Sequence, residues 1–283
     1  MSLKPTYSAS KSASAAAKAV AGRKGLQRVS GLAARQTNAT AGGKSAGEKE
    51  FDFSKKDFAF LSELVYKKTG IVLKEQKFEM VYARLARRLR QLNMTKFTEY
   101  TALLTGPKGA DELGSLVDAI TTNLTRFFRE DYQLTDLANH LKSLIANKQQ
   151  KTLRIWSAGC SSGQEPYSLA IVVLETLAKE RAVDVKILAS DIDRNMLAKA
   201  RRGVYSDNEA SSMPKHFLKK YFDRQTDGSW QAGRALKGLI QFNSLNLMKG
   251  GPYTRPFHVI FGRNVVIDFD DKTKQVLARR FCD

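Results

Sequence analysis

Acidic residues are scarce in this chain, which holds 28 Asp and Glu against 47 Lys and Arg and has a formal net charge of +19. Nine of the basic residues lie in the first fifty positions, where Glu48 and Glu50 are the only acids. A strong positive balance favours an acidic partner surface, but net charge alone does not identify the class of partner.

Cysteine and histidine are also rare. Two cysteines, Cys160 and Cys282, exclude a disulfide framework, and three scattered histidines provide no metal-ligand spacing. We therefore expect no metal site. No apolar run reaches the length needed to span a bilayer, and the N-terminus has no continuous hydrophobic region of the secretory type. These absences predict a cytoplasmic protein without membrane insertion.

Composition divides the chain into segments. Residues 1–50 are rich in Ala, Ser, Gly and Lys, which predicts a disordered basic tail. The tail is interpreted as a solvated linker, with weak attraction to nucleic acid or an anionic membrane as the alternative. Residues 51–115 show helical apolar spacing, residues 116–147 are read as a linker helix, and residues 148–283 form an α/β domain.

The most informative stretch runs from Leu153 to Tyr167. A short apolar run predicts a buried strand, Gly159 and Gly163 predict a sharp turn, and Pro166 fits the first turn of a helix. A second predicted strand follows and ends at residues 190–193, SDID. This order of elements is typical of a nucleotide site.

The polar residues of this stretch indicate which nucleotide fits. Asp191, at the end of the second strand, suits the two hydroxyls of a ribose. Glu165 stands at the helix start, where it would repel a pyrophosphate and attract a cation. The chain contains neither G-x-G-x-x-G at this turn nor a phosphate-binding G-x-x-x-x-G-K-[ST] motif. S-adenosylmethionine, which carries a ribose, a sulfonium and an ammonium, therefore fits best.

Five ordered segments resemble the signature blocks of the chemoreceptor glutamate methyltransferases, the CheR family. They are ITTNLTRFFRE at 120–130, WSAGCSSGQEPYS at 156–168, SDID at 190–193, ARRGVY at 200–205 and FGRNVVI at 261–267. The resemblance covers about residues 51–283. It implies a Rossmann-like S-adenosylmethionine methyltransferase domain after a small all-helical domain, with a small β-subdomain at about 206–240. The implied activity is methylation of glutamates on the cytoplasmic helical bundle of chemoreceptors.

The resemblance also assigns residues. It implies that Arg129 is catalytic, since a guanidinium offers paired donors to carboxylates. The alternative for Arg129 is a surface ion pair with Glu130 or Asp131. The resemblance also implies a set of cofactor-binding residues, in which Gly159 lies in the turn, Glu165 holds the ammonium and Asp191 the ribose, while others surround the adenine and the methionine end. The full set is Asn123, Thr125, Arg129, Gly159, Glu165, Asp191, Asn246, Leu247, Arg263 and Asn264.

The second predicted helix of the N-terminal domain is strongly basic. Arg84, Arg87 and Arg88 follow one another there, and no acidic residue follows Glu79 to pair with them. In the family this domain contacts the receptor bundle, so the resemblance favours a receptor-binding surface on this helix. The alternative interpretation is a solvated helix face. Capture of a C-terminal receptor peptide is not expected, because the turn at residues 224–230 is short.

Two features depart from the family pattern. Asp268 stands where the family usually has a Tyr that lines the acceptor site, and its carboxylate would repel an incoming glutamate and slow transfer. The chain also stops at Asp283, before further strands, which leaves the strand near Phe261 at a sheet edge. The alternative readings are therefore a catalytically impaired cofactor- and receptor-binding module, or a nucleic-acid methyltransferase. The chain lacks the target-amine motif of nucleic-acid methyltransferases, so no specific nucleic acid is expected as a partner.

Overall fold

The computed structural model describes residues 49–121, 123–146, 151–179, 183–251, 253, 255–262 and 265–282. The first part of this chain is helical. Ser54 begins the first helix with a capping box, in which its side chain accepts from the Asp57 backbone N–H while the Asp57 carboxylate accepts from the Ser54 N–H. The helices are α1 Lys55–Thr69, α2 Phe78–Gln91, α3 Phe97–Thr105, α4 Gly109–Ile120 and α5 Asp131–Ala146.

Helices α1 to α4 share one apolar core. In α2, Val81, Leu85 and Leu89 recur every four residues, so their side chains lie on one face and are fully buried. Leu61 and Val65 of α1 occupy the same core. A 3₁₀ turn, Glu75–Lys77, leads into α2.

The linker helix predicted over residues 116–147 is wrong. Helix α4 ends at Ile120 and α5 begins at Asp131, and among the described residues between them 127–130 form turns. Phe128 and Glu130 have φ values of 51° and 52°, which a right-handed helix cannot continue. Tertiary contacts favour the break, because Phe127 is buried against Tyr205 and the Phe128 N–H donates to Ser168 Oγ at 3.0 Å.

The α/β domain is built on a four-stranded parallel sheet with the order β6-β2-β1-β7. Its strands are β1 Thr152–Ala158, β2 Asp184–Asp191, β6 Ile240–Ser244 and β7 Val259–Phe261. Helix α6, Gln164–Thr176, follows β1, and α7, Arg194–Arg202, follows β2. Strand β7 forms one edge of the sheet among the described residues, as expected for the strand near Phe261.

A small antiparallel sheet lies within this domain, in the order β3-β5-β4. Its strands are β3 Val204–Tyr205, β4 Phe222–Arg224 and β5 Trp230–Ala232, and its helices are α8 Asp207–Ala210, α9 Lys215–Tyr221 and α10 Arg234–Lys237. Tyr205 and Phe222 bury their rings in the core of the α/β domain. A second 3₁₀ turn, Val266–Asp268, precedes α11 Asp271–Cys282.

A seam of hydrogen bonds joins the helical domain to the second 3₁₀ turn. The Val72 N–H donates to the Asp268 carbonyl at 2.8 Å, and Tyr66 Oη donates to the Asp270 carboxylate at 2.7 Å. Ile71 forms an antiparallel bridge with Phe269. The helical domain therefore lies beside the segment that leads from β7 to α11. Within the described ranges, no helix has both the length and the apolar character that a membrane span requires.

Candidate active site

The turn between β1 and α6 forms the floor of the cavity at the carboxyl end of the sheet. Gly159 and Gly163 have φ values of 82° and 98°. A Cβ at position 159 would lie 1.9 Å from Val265 Cγ2, so only glycine fits there. The N–H groups of Gly159 and Cys160 donate to the Ser190 carbonyl at 2.8 and 2.9 Å. These contacts fix the turn against the end of β2.

Two buried carboxylates face this turn. Glu165 and Asp191 are each 9% exposed. Ser157 Oγ donates to Glu165 Oε1 at 2.8 Å, while the N–H groups of Ser161 and Asp193 donate to the two Asp191 oxygens at 2.7 and 2.9 Å. Burial raises the pKa of Asp191, and the backbone donors oppose that rise. The carboxyl ends of adjacent parallel strands therefore place two acceptor groups on one cavity.

The segment between α4 and α5 lies along the cavity through a contact with Asp193. The Asp193 carboxylate accepts from Asn123 Nδ2 at 2.7 Å and from Thr121 Oγ1 at 2.9 Å. The same carboxylate caps α7 by accepting from the N–H groups of Asn195 and Met196. One buried side chain thus holds the start of a helix and the position of Asn123.

Thr125 and Arg129, further along the same segment, also line the cavity. Arg129 Nη1 donates to the Leu124 carbonyl at 2.9 Å, and its Nε lies 3.7 Å from Glu130 Oε1. The predicted catalytic residue is therefore on the cavity wall, and the ion pair with Glu130 that was considered as its alternative is present as well.

The opposite wall comes from the loop after β6 and from the second 3₁₀ turn. Asn246 and Leu247 line the cavity. The Asn246 side chain donates to the Lys68 carbonyl at 2.6 Å and accepts from the Met248 N–H at 2.9 Å, so it ties this loop to α1. Asp268 lines the cavity and is paired with Lys77 at 2.7 Å. Arg263 and Asn264 lie outside the described residues.

The arginines of α2 have partners that the sequence did not suggest. Arg84 Nη1 donates to the Thr121 carbonyl at 2.6 Å, and Arg88 forms two hydrogen bonds with the Glu112 carboxylate at 2.9 and 2.6 Å. The Glu112 contact raises the pKa of Arg88. The expectation that these charges are unbalanced is therefore wrong for Arg88, whose acidic partner lies on α4, whereas the described partners of Arg84 are neutral carbonyls. Arg87 is exposed.

Comparison with known proteins gives the family. Residues 56–121 match the family profile described as "CheR methyltransferase, all-alpha domain", and residues 123–283 match "CheR methyltransferase, SAM binding domain". The chain belongs to the CheR methyltransferase family. A "Chemotaxis protein methyltransferase" of Escherichia coli is 40% identical over 228 residues, which are 79% of this chain and 78% of the relative.

Two further CheR relatives cover similar lengths. A "Probable chemotaxis protein methyltransferase" of Rhizobium etli is 39% identical over 223 residues, covering 77% of this chain and 83% of the relative. A "Chemotaxis protein methyltransferase" of Borreliella burgdorferi is 38% identical over 236 residues, covering 81% and 83%. The predicted fold class, an α/β Rossmann-like domain after an all-helical domain, is confirmed.

The cavity suits the cofactor of this CheR domain, S-adenosylmethionine. Its floor carries the acceptor groups Glu165 and Asp191, which match a cation and a ribose. Eight of the ten predicted cofactor-binding residues line this one cavity: Asn123, Thr125, Arg129, Gly159, Glu165, Asp191, Asn246 and Leu247. Their individual roles stay predictions.

Several residues that organise this CheR site were missed in the sequence. Asp193, Ser157 and Thr121 position the groups that line the cavity. The sequence could have indicated the capping role of Asp193, because an Asp directly before a helix is a common N-cap. Its contact with Asn123, seventy residues away, could not be predicted from the local sequence.

Proposed function

We propose that this chain transfers the methyl group of S-adenosylmethionine to glutamate side chains on the helical bundle of bacterial chemoreceptors, giving glutamyl methyl esters. The observation that carries the proposal is the pair of buried carboxylates, Glu165 and Asp191, in one cavity with Arg129. The chemistry of the cavity fits a cationic nucleoside, and the family relatives carry the name of chemotaxis methyltransferases.

The residues act by binding and orienting. Glu165 would hold the ammonium of the cofactor and Asp191 its ribose, while Arg129 would orient carboxylates near the reacting methyl. When bound, S-adenosylmethionine supplies an electrophilic methyl on a sulfonium; a carboxylate oxygen takes that methyl, and the sulfur keeps the electron pair of the broken bond. No proton moves, because the acceptor glutamate is already ionised at neutral pH. Positioning and exclusion of water supply the acceleration, so no general base is needed.

The receptor would lie along a groove beside α2. Arg84, Arg87 and Arg88 line this groove, which shares Asn123 and Leu124 with the cofactor cavity. An acidic receptor helix in the groove would therefore bring its side chains to the cavity mouth. Arg87 is the exposed cation of the three and would make the closest contact, while Arg84 would contribute charge from a half-buried position and Arg88, paired with Glu112, would support the helix.

The proposal is tested by incubating the full chain with methyl-labelled S-adenosylmethionine and a soluble cytoplasmic fragment of a chemoreceptor. We expect label on the receptor that base releases as methanol, the signature of a methyl ester. The variant Arg129→Ala should lower the rate about 100-fold, and Arg129→Lys should recover only part of it. Arg279→Ala, which removes an exposed cation from α11, serves as the control. Base-stable label, or label on nucleic acid, would contradict the proposal.

A further inference from the structure

An ion pair crosses the seam between the two domains at the cavity wall. Lys77 Nζ lies 2.7 Å from Asp268 Oδ1, although the two residues are 191 positions apart. The side chains are 25% and 33% exposed, so the pair is largely withdrawn from water. Each residue ends a 3₁₀ turn, and the Val72 N–H, which lies before the first turn, donates to the Asp268 carbonyl of the second. The geometry of the pair is therefore built into the fold.

The pair lies toward the open side of the cavity. Glu165 and Asp191 are buried at the floor, whereas Ile267, next to Asp268, is 63% exposed. Leu124, which also lines the cavity, is 80% exposed. In the proposed function a partner side chain enters past these more exposed residues rather than through the buried floor. Asp268 is thus a carboxylate at the entrance, and Lys77 is the cation bound to it.

We propose that Lys77 is a positioning residue for an anionic acceptor, because it neutralises Asp268 at the cavity entrance. The inference rests on the proposed function, in which the acceptor is a glutamate carboxylate. An unpaired Asp268 would repel that carboxylate in a site of reduced dielectric. With Lys77 in place, the entrance carries no net charge from this pair, and the acceptor can approach Arg129. Lys77 thus compensates for the acidic residue in this chain's acceptor region.

The test compares four variants of the full chain in receptor methylation. Lys77→Met should lower kcat/KM about tenfold, mainly through a higher KM for the receptor fragment, which corresponds to about 1.4 kcal/mol. Asp268→Asn removes the carboxylate that Lys77 neutralises, so the double variant of the two should match Asp268→Asn within about twofold. Lys74→Met removes an exposed lysine three residues earlier and should behave as wild type. A double variant as poor as Lys77→Met would show a purely structural role for Lys77 and overturn the proposal, as would an unchanged KM in Lys77→Met.

A binding measurement provides a second readout that does not depend on turnover. Calorimetric titration with S-adenosylmethionine, a cation at sulfur, and with S-adenosylhomocysteine, neutral at sulfur, reports the charge at the entrance. Lys77→Met should raise the preference for S-adenosylmethionine about threefold or more, while Lys74→Met and the double variant should leave it near the wild-type ratio. Absence of receptor methylation by the wild-type chain would refute the proposed function and with it the role of Lys77 toward the acceptor, whereas the ratio tests the charge neutralisation separately. An equal ratio in all variants overturns it.

Discussion

Replacing Arg88 with Met should destabilise the helical domain rather than act on receptor binding alone. Arg88 donates two hydrogen bonds to Glu112, which is 6% exposed and also accepts from Tyr100 Oη at 2.9 Å. Without Arg88 the Glu112 carboxylate remains buried and keeps the Tyr100 hydrogen bond but has no cationic partner. Removing one partner of a buried pair costs about 3–5 kcal/mol. Because the Arg88 side chain is 26% exposed, we expect the lower end, about 3 kcal/mol.

The assay is urea and thermal unfolding of the full chain. A loss of about 3 kcal/mol corresponds to a Tm lower by about 6–12 °C for a folded unit of this size. The double variant Arg88→Met with Glu112→Leu should recover most of the loss, since an apolar pair of similar volume replaces an ion pair at little cost. Arg87→Met is the matched control, because Arg87 is an exposed arginine on the same helix, and its stability should change by less than about 0.5 kcal/mol.

Two results would refute the reasoning about Arg88. One is a Tm for Arg88→Met within about 2 °C of wild type, which would mean that the pair with Glu112 carries little energy. The other is a double variant no more stable than Arg88→Met. In receptor methylation at low salt, Arg87→Met should raise KM without a change in Tm, whereas the defect of Arg88→Met should follow its stability.

The remaining predictions concern the cofactor cavity. Gly159→Ala should weaken S-adenosylhomocysteine binding at least about tenfold, because the added Cβ would lie 1.9 Å from Val265 Cγ2 at a φ of 82°. Asp193→Ala should cost about 2 kcal/mol through the lost N-cap and the lost hydrogen bond from Asn123, while Asp193→Asn should retain most of the cap energy, as urea unfolding would measure. Burial raises the pKa of Asp191, so ligand affinity should fall as pH drops toward that raised value, when an ordinary Asp is still ionised. The same protonation adds stability to the free chain as pH falls, and that contribution is lost as pH rises through the folded-state pKa.

Each of these has a control. Gly250→Ala adds a Cβ at a φ of 71° but meets nothing within 4 Å, so it should leave ligand affinity unchanged. Equal ligand affinity in Gly159→Ala and wild type would show that the turn tolerates a side chain. An Asp193→Ala chain as stable as Asp193→Asn would remove the argument for its cap. For Asp191, the pH dependence should disappear in Asp191→Asn, and a persistent slope would assign it to another group.

Local patterns predicted the floor of the site. The glycine turn, Glu165 and Asp191 follow two apolar strands directly, and parallel pairing of β1 with β2 brings the ends of those strands together. The resemblance supplied Asn123, Thr125 and Arg129, which the structure places on the same cavity. The floor residues were predictable from short-range sequence order, whereas the three residues of the segment between α4 and α5 were predictable only from the resemblance.

Contacts between distant residues were not predictable in the same way. The partners of Arg88 and Lys77, Glu112 and Asp268, lie 24 and 191 residues away. The break between α4 and α5 was missed because apolar spacing continues through residues 120–128, while burial of Phe127 against the α/β core overrides it. In each case tertiary packing determines a contact or a helix end that the local sequence pattern does not specify.

Calorimetric titration of the full chain with S-adenosylhomocysteine, repeated on Asp191→Ala, tests the central claim most directly. In the proposed function Asp191 accepts hydrogen bonds from the ribose, so Asp191→Ala removes that acceptor together with the acceptor of the Ser161 and Asp193 N–H groups. We predict micromolar binding by the wild-type chain and a loss of at least about tenfold, or 1.4 kcal/mol, in the folded variant. Equal affinity in the two chains, or no binding by a folded wild-type chain, would contradict the assignment of this cavity as the cofactor site.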